Sequence, residues 1–290
     1  MREAQPVFRF APSPNGELHL GHALSALLCH DQARRAGGRF LLRIEDIDLG
    51  RSRAEYVSGI FEDLRWLGLT WEEPVIFQSQ RFEAYRAAAA RLEAMGLLYP
   101  CFATRSEIEA AATGAHDPDG APLYPGLWKG RAAGEVAERK AAGVPYAARL
   151  DMEAALRVAA EMPGGEPLAF TETGRGSARS VAAHPERWGD AVIVRKDVPT
   201  SYHLAVVVDD DWQDVTHVTR GLDLLAATDL HRLLQVLLGL RAPVYHHHRL
   251  IADEDGRKLS KSARDTSLRS LREAGATPAD VRRMIDFPPG

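Results

Sequence analysis

A chain of 290 residues, 45% hydrophobic and 26% charged, can bury one large core or two smaller ones, and no stretch approaches the roughly 18 uninterrupted apolar residues of a membrane span. Its two cysteines, Cys29 and Cys101, exclude a disulfide framework and a four-thiolate metal site, and a net charge of −4 excludes nucleic-acid binding driven by bulk electrostatics. The N-terminus carries no basic flank followed by an apolar signal core, so the protein is expected in the cytoplasm.

In chain order, the apolar-alternating run Val7 to Phe10 predicts a strand stopped by Pro12, and "RFLLRIED" from Arg39 predicts a second that ends in charge. Between them Leu20, Ala23, Leu24, Leu27 and Leu28 fall on one helical stripe. Strand, helix and strand make the start of a βαβ unit, whose crossover sets the strands parallel. Helices are expected at Arg53 to Leu67 and Arg81 to Met95. From about Cys101 to His184 the chain holds "HDPDGAPLYPG", "MPGGEP" and "TGRGSARS", which predict an inserted, loop-rich subdomain. "DAVIVRKDVPTSYHLAVVVDDDWQDVTHVTRG" reads as three strands, with Leu204 to Val208 a central one and Asp209 to Asp211 a polar hairpin turn rather than a metal cluster. A helix follows at Ala226 to Leu238, then a loop holding "DEDGRKLSKS" and a tail able to form one or two short helices. The expected divisions are 1–100 and 188–240 as two halves of one α/β unit, 101–187 as the insertion and 241–290 as the terminal segment.

The stretch "FAPSPNGELHLGHALSALL" from Phe10 carries chemistry. His19 and His22, three apart, share the helix face away from the leucine stripe and meet whatever sits over the helix N-terminus, where free N–H groups and the positive dipole end suit phosphate. Gly21 between them removes a side chain where a base or ribose could lie. "PSPNG" aims the turn so that the helix starts at the strand's carboxyl end, where α/β sheets bind ligands. Two histidines alone are as well explained as a cap on a solvated helix. "KLSKS", Lys258 to Ser262, supplies two lysines three apart, suited to a pyrophosphate leaving group, though such a pentamer is more often a solvated basic loop. From Arg241 onward 10 Lys/Arg stand against 7 Asp/Glu, a local basic excess in an otherwise acidic chain.

Together "HLGH" and "KLSKS", in this order and separated by a split α/β unit, resemble the HIGH and KMSKS motifs of class I aminoacyl-tRNA synthetases. The resemblance implies a Rossmann-like catalytic domain, attack of an amino-acid carboxylate on the α-phosphate of ATP, and transfer of the acyl group to RNA. It also implies ATP with Mg²⁺ and catalytic roles for His19, His22, Lys258 and Lys261, with Gly21 joining them at ATP. "RFAPSPNGELHLGHA", "RIEDID" and "QSQR" look like the glutamate and glutamine branch. In that pattern Arg9, Phe10, Ala11, Pro12 and Ser13, with Glu45, Tyr202 and Arg220, line the glutamate pocket. A carboxylate side chain needs such an arginine, and Glu45 is placed for the α-ammonium. Without the resemblance, Glu45 and Arg220 read as a structural ion pair between neighbouring strands.

Only 28 residues follow Ser262, so no anticodon-binding domain is expected. Size, "QSQR" and "YHLAVVVDD" resemble the short glutamyl-queuosine tRNA(Asp) synthetases. That implies activation of L-glutamate without tRNA, then esterification onto queuosine at the wobble position of tRNA(Asp), the anticodon loop occupying the groove, by a monomer that uses no membrane. Many members carry zinc in the insertion. Here "YPCFATR" keeps Cys101 but has Ala103 where a second cysteine stands, and "LYPGLWKG" keeps Tyr124 with no cysteine after it, so no structural zinc is expected and Cys101 is read as a small buried side chain. "HHH" at His246 to His248 is a poor chelator because adjacent side chains diverge. The competing readings are a compact glutamyl-tRNA synthetase charging the tRNA 3′ end, a catalytically silent tRNA-binding paralogue, and a small-molecule nucleotidylyltransferase, which shares the HxGH helix.

Overall fold

The structure, a computed structural model, describes residues 5–251 and 267–288. Strand β1 (Val7–Phe10) runs into a proline turn, helix α1 (Leu20–Arg35) and strand β2 (Arg39–Ile44), then α2 (Ala54–Trp66) and β3 (Glu72–Phe77). β1 pairs with β2 in parallel, as the βαβ pattern requires. Helix α3 (Phe82–Ala94) and strand β4 (Leu98–Cys101) follow, then α4 (Arg105–Ala110), α5 (Ala133–Ala141), β5 (Ala147–Leu150) and α6 (Met152–Ala160). Next come β6 (Ala169–Glu172), β7 (Arg179–Ala182) and β8 (Val192–Val194). The chain continues through α7 (Tyr202–Trp212), β9 (His217–Gly221), α8 (Ala227–Leu238) and β10 (Val244–His248), and the tail forms α9 (Leu268–Glu273) and α10 (Pro278–Met284).

Seven strands form one sheet in the order β3-β2-β1-β9-β10-β6-β7, parallel except where β7 pairs with β6. A separate antiparallel sheet runs β4-β5-β8. The stretch 101–187 therefore contributes strands to both sheets. From β1 the chain first builds outward through β2 and β3, and later returns to place β9 and β10 on the other side of β1. The gap beyond the carboxyl ends of β1 and β9 is thus a topological switch point, where open α/β sheets take ligands.

Leu204 to Val208 is helical, contrary to the expected central strand. A short apolar run has no periodicity to separate a strand from a helix buried all round. Here Ser201 caps the first turn by accepting the Leu204 N–H at 3.4 Å, and Leu204, Ala205, Val206 and Val207 are all buried in the core that α7 shares with α3 and α8. Asp209 to Asp211 consequently lies on the last turns of α7 and forms no hairpin.

The tail packs on the first βαβ unit, with Leu268, Val281 and Ile285 buried beside Leu18, Leu27 and Ile60. Arg272 on α9 reaches α2, meeting Glu62 at 3.1 Å and the buried Asp63 at 3.4 Å. Among the described residues no hydrogen bond reaches Asp63 Oδ1, and burial pushes its carboxyl up to about 6 despite Arg272 and Arg269. Between the unfolded value near 4 and that raised value the folded chain holds a proton the unfolded chain releases, so this contribution to stability falls as pH rises through that window. Asp63→Asn, which cannot titrate, should gain melting temperature relative to the parent on going from pH 5 to pH 7.5. Thermal melts at the two pH values check this, and a difference that does not change with pH contradicts it.

Candidate active site

A cavity of about 490 Å³ opens at the switch point. Arg9 and Phe10 from β1, Ala11 to Ser13 from the proline turn, His19, Gly21 and His22 from α1, Glu45 after β2, Tyr202 from α7 and Arg220 from β9 all line it. Every predicted site residue among those described is therefore in one place. Lys258 and Lys261 lie outside the described residues. Of the residues flanking that stretch, Ile251 lines the cavity, and Ser267 forms a β-bridge with His19 while the Leu268 N–H donates to Leu18 O at 2.8 Å.

The histidines cap α1 and also face the cavity. His19 Nδ1 accepts the Gly21 N–H at 3.1 Å, and His22 Nδ1 accepts the His19 N–H at 3.1 Å, a reciprocal cap at the helix start. A neutral imidazole that accepts at Nδ1 carries its proton on Nε2, so both rings are set as Nε2–H donors. Their centroids are 3.9 Å apart. Gly21 makes room for the cap: a Cβ there would meet the His19 ring at 3.0 Å.

The two pocket arginines are held differently. Arg9 is buried and forms a two-pronged pair with Asp210, at 2.9 Å and 3.3 Å, and Arg43 meets the same carboxylate at 2.8 Å. Burial alone would raise the Asp210 carboxyl, but Arg9 and Arg43 together hold it below the ordinary value. Glu45 lies 3.5 Å from Arg43, and burial pushes its carboxyl up against the pull of Arg43 and Arg9. Arg220, also buried, has no ion pair among the described residues. Its donors go to neutral acceptors: Nε to His247 Nε2 at 3.1 Å, Nη1 to Tyr202 Oη and His231 Nδ1 at 3.3 Å each, and Nη2 to Thr228 Oγ1 at 2.7 Å. Glu45 and Arg220 do not pair with each other among the described residues.

The adjacent Asp209 accepts from Gln78 at 2.9 Å, Arg81 at 2.7 Å and Tyr85 at 2.7 Å, so the "QSQR" stretch anchors α7. Cys29 donates its thiol to Arg9 O at 3.3 Å, and burial pushes that thiol up to about 12, which leaves no thiolate under the cavity. In the insertion Cys101 is buried beside Phe102, Ala103 and Trp128 and donates to Tyr124 Oη at 3.3 Å, while the Trp128 N–H donates to the same oxygen at 2.7 Å. One thiol and one phenol, with no second cysteine beside them among the described residues, are too few donors for a tetrahedral zinc set.

A family model described as "tRNA synthetases class I (E and Q), catalytic domain" matches residues 6–286. The chain belongs to this family. Its seven-stranded sheet and switch-point cavity are the Rossmann-like arrangement that the "HLGH" resemblance implies. The Glutamyl-Q tRNA(Asp) synthetase of Rhodobacter capsulatus is 47% identical over 289 residues, covering 96% of this chain and 99% of that protein. The protein of the same name from Symbiobacterium thermophilum is 42% identical over 282 residues, covering 94% and 83%. Among solved structures, a glutamate tRNA ligase from Elizabethkingia meningosepticum in complex with its amino acid superposes with a TM-score of 0.72 at 28% identity, and the match spans 97% of this chain and 60% of that one.

Some members of the site escape sequence reasoning. Ser25 lines the cavity and lies 2.7 Å from His248 Nε2, and its spacing of three and four from His22 and Gly21 was the available signal. Arg43 shares a strand face with Glu45 by alternation. Asp210, Thr219, Asp223 and the run His248 to Ile251 carry no local mark, because only the tertiary fold brings them here. Three neighbouring histidines diverge as expected, His246 Nδ1 to Thr173 Oγ1 at 3.2 Å, His247 to Glu172 and Arg220, and His248 to Ser25.

Proposed function

We propose that this chain activates L-glutamate with ATP, without tRNA, and esterifies it onto queuosine at the wobble position of tRNA(Asp). Arg220 is the observation that carries the amino-acid half: a buried cation with only neutral partners among the described residues, at the cavity wall, suits a substrate carboxylate. Arg9, its charge already met by Asp210, shapes the pocket with Phe10 to Ser13, and Glu45 accepts the α-ammonium. The substrate's α-carboxylate oxygen attacks the α-phosphorus of ATP, the bond to the bridging oxygen breaks, and pyrophosphate leaves with that electron pair. Nε2–H donors of His19 and His22 stabilise charge on the phosphates as it builds, and Lys258 and Lys261 neutralise the departing pyrophosphate. The family resemblance implies Mg²⁺ on the ATP phosphates, where it would screen their charge.

Support for the acceptor comes from the 47% identity, end to end, with a protein named for glutamyl-Q tRNA(Asp) synthesis. The reading places a monomer in the cytoplasm, and among the described residues no helix is long and apolar enough to cross a membrane. Labelled glutamate, incubated with ATP and the protein, should appear on tRNA from cells that make queuosine and not on tRNA from cells that cannot. Equal labelling of both would establish charging of the 3′ end instead, and no labelling of either would remove the transfer activity.

A further inference from the structure

Arg220 is followed outward by a chain of polar groups that the reaction does not use. Its Nε–H donates to His247 Nε2 at 3.1 Å, so His247 carries its proton on Nδ1, and that proton is donated to Glu172 Oε2. Glu172 ends β6, and its other oxygen accepts the Gly174 N–H at 2.5 Å and the His247 N–H at 3.1 Å. The carboxylate is 3% exposed and His247 is 4% exposed, while the cavity lining includes Arg220 but neither of them. Burial alone would raise the Glu172 carboxyl, yet these three donors hold it below the ordinary value, and burial with Arg220 holds His247 below the ordinary imidazole value. The site is tightly built: a Cβ on Gly174 would come within 2.2 Å of His247 O and 2.7 Å of Glu172 Oε1.

Building on the glutamate reading, we propose that Glu172, acting through neutral His247, is a positioning residue for Arg220, aiming its guanidinium at the substrate's side-chain carboxylate. A carboxylate in direct contact would occupy the arginine, as Asp210 occupies Arg9. One imidazole removed, the negative charge balances the buried cation without competing for its donors. It also dictates the imidazole tautomer, since His247 can accept from Arg220 only while Nδ1 is the protonated nitrogen.

Glu172→Gln tests the relay. The two backbone N–H groups on Oε1 require the amide oxygen there, so the amide NH₂ faces His247 Nδ1. The imidazole proton then moves to Nε2, where it confronts the Arg220 Nε–H and can turn only to Thr228 Oγ1, 3.2 Å away and already an acceptor from Arg220 Nη2, so the Arg220 Nε–H loses its acceptor. Imidazole ¹⁵N NMR should find His247 protonated on Nδ1 in the parent protein and on Nε2 in the variant. In glutamate-dependent ATP–pyrophosphate exchange, the variant's KM for glutamate should rise about tenfold or more, with kcat and the KM for ATP held within about twofold. A parent protein protonated on Nε2 overturns the proposal, whether or not the variant folds. So does a variant whose tautomer has switched while its KM for glutamate has not moved, or one that loses kcat alone. If the parent itself shows no glutamate-dependent exchange, the glutamate reading falls and this proposal with it, an outcome distinct from a failure of the relay in an active enzyme.

Discussion

Asp210→Ala should unfold at a markedly lower urea concentration than the parent, by a loss of about 3–5 kcal/mol, because it strands two buried arginines that share one carboxylate. Arg9 and Arg43 come from β1 and β2, and Asp210 from α7 far along the chain, so the same change loosens the seam between the two parts of the sheet and the helix packed on it. Asp211→Ala is the control within the same three-residue run. Its carboxylate pairs with Arg241 at 3.1 Å, where the arginine side chain is 58% exposed, so no more than about 1 kcal/mol should be lost. Urea unfolding followed by tryptophan fluorescence separates the two, and equal shifts would show that burial is not what distinguishes them. The pH dependence has a definite sign: a carboxyl held below its ordinary value contributes stability above that value and loses it as pH falls through the depressed one, so the parent should lose more stability than Asp210→Ala on acidification.

His22→Ala should lower ATP–pyrophosphate exchange by about 10²–10³-fold, the scale seen when a donor to developing transition-state charge is removed. Loss of the cap accounts for about 1 kcal/mol of stability and not for this loss of rate. His22→Asn decides between the roles, since an asparagine oxygen can still accept the His19 N–H while no donor remains in the position of Nε2. Exchange restored by asparagine would make His22 a capping residue only. Exchange lost in both variants, with the melting temperature of the asparagine variant retained, is the expected result.

Both predictions turn on positions where sequence and structure carry different information. The strand, helix and strand of the first βαβ unit and the placement of "HLGH" at the start of α1 were legible in the sequence, and the gathering of Arg9, Glu45, Tyr202 and Arg220 near one cavity was implied by the family resemblance. Amphipathic spacing and turn residues are local signals, and a motif carries its ligand chemistry with it. The helical state of Leu204 to Val208 was not legible, because burial on every side erases the period. Three consecutive aspartates look alike in one dimension. In the fold Asp209 anchors "QSQR", Asp210 binds two arginines and Asp211 faces outward. Likewise the two pocket arginines are equivalent as letters. What each can do is decided by counter-charges brought from distant strands and helices, Asp210 directly against Arg9 and Glu172 one imidazole away from Arg220, and only tertiary packing sets those distances.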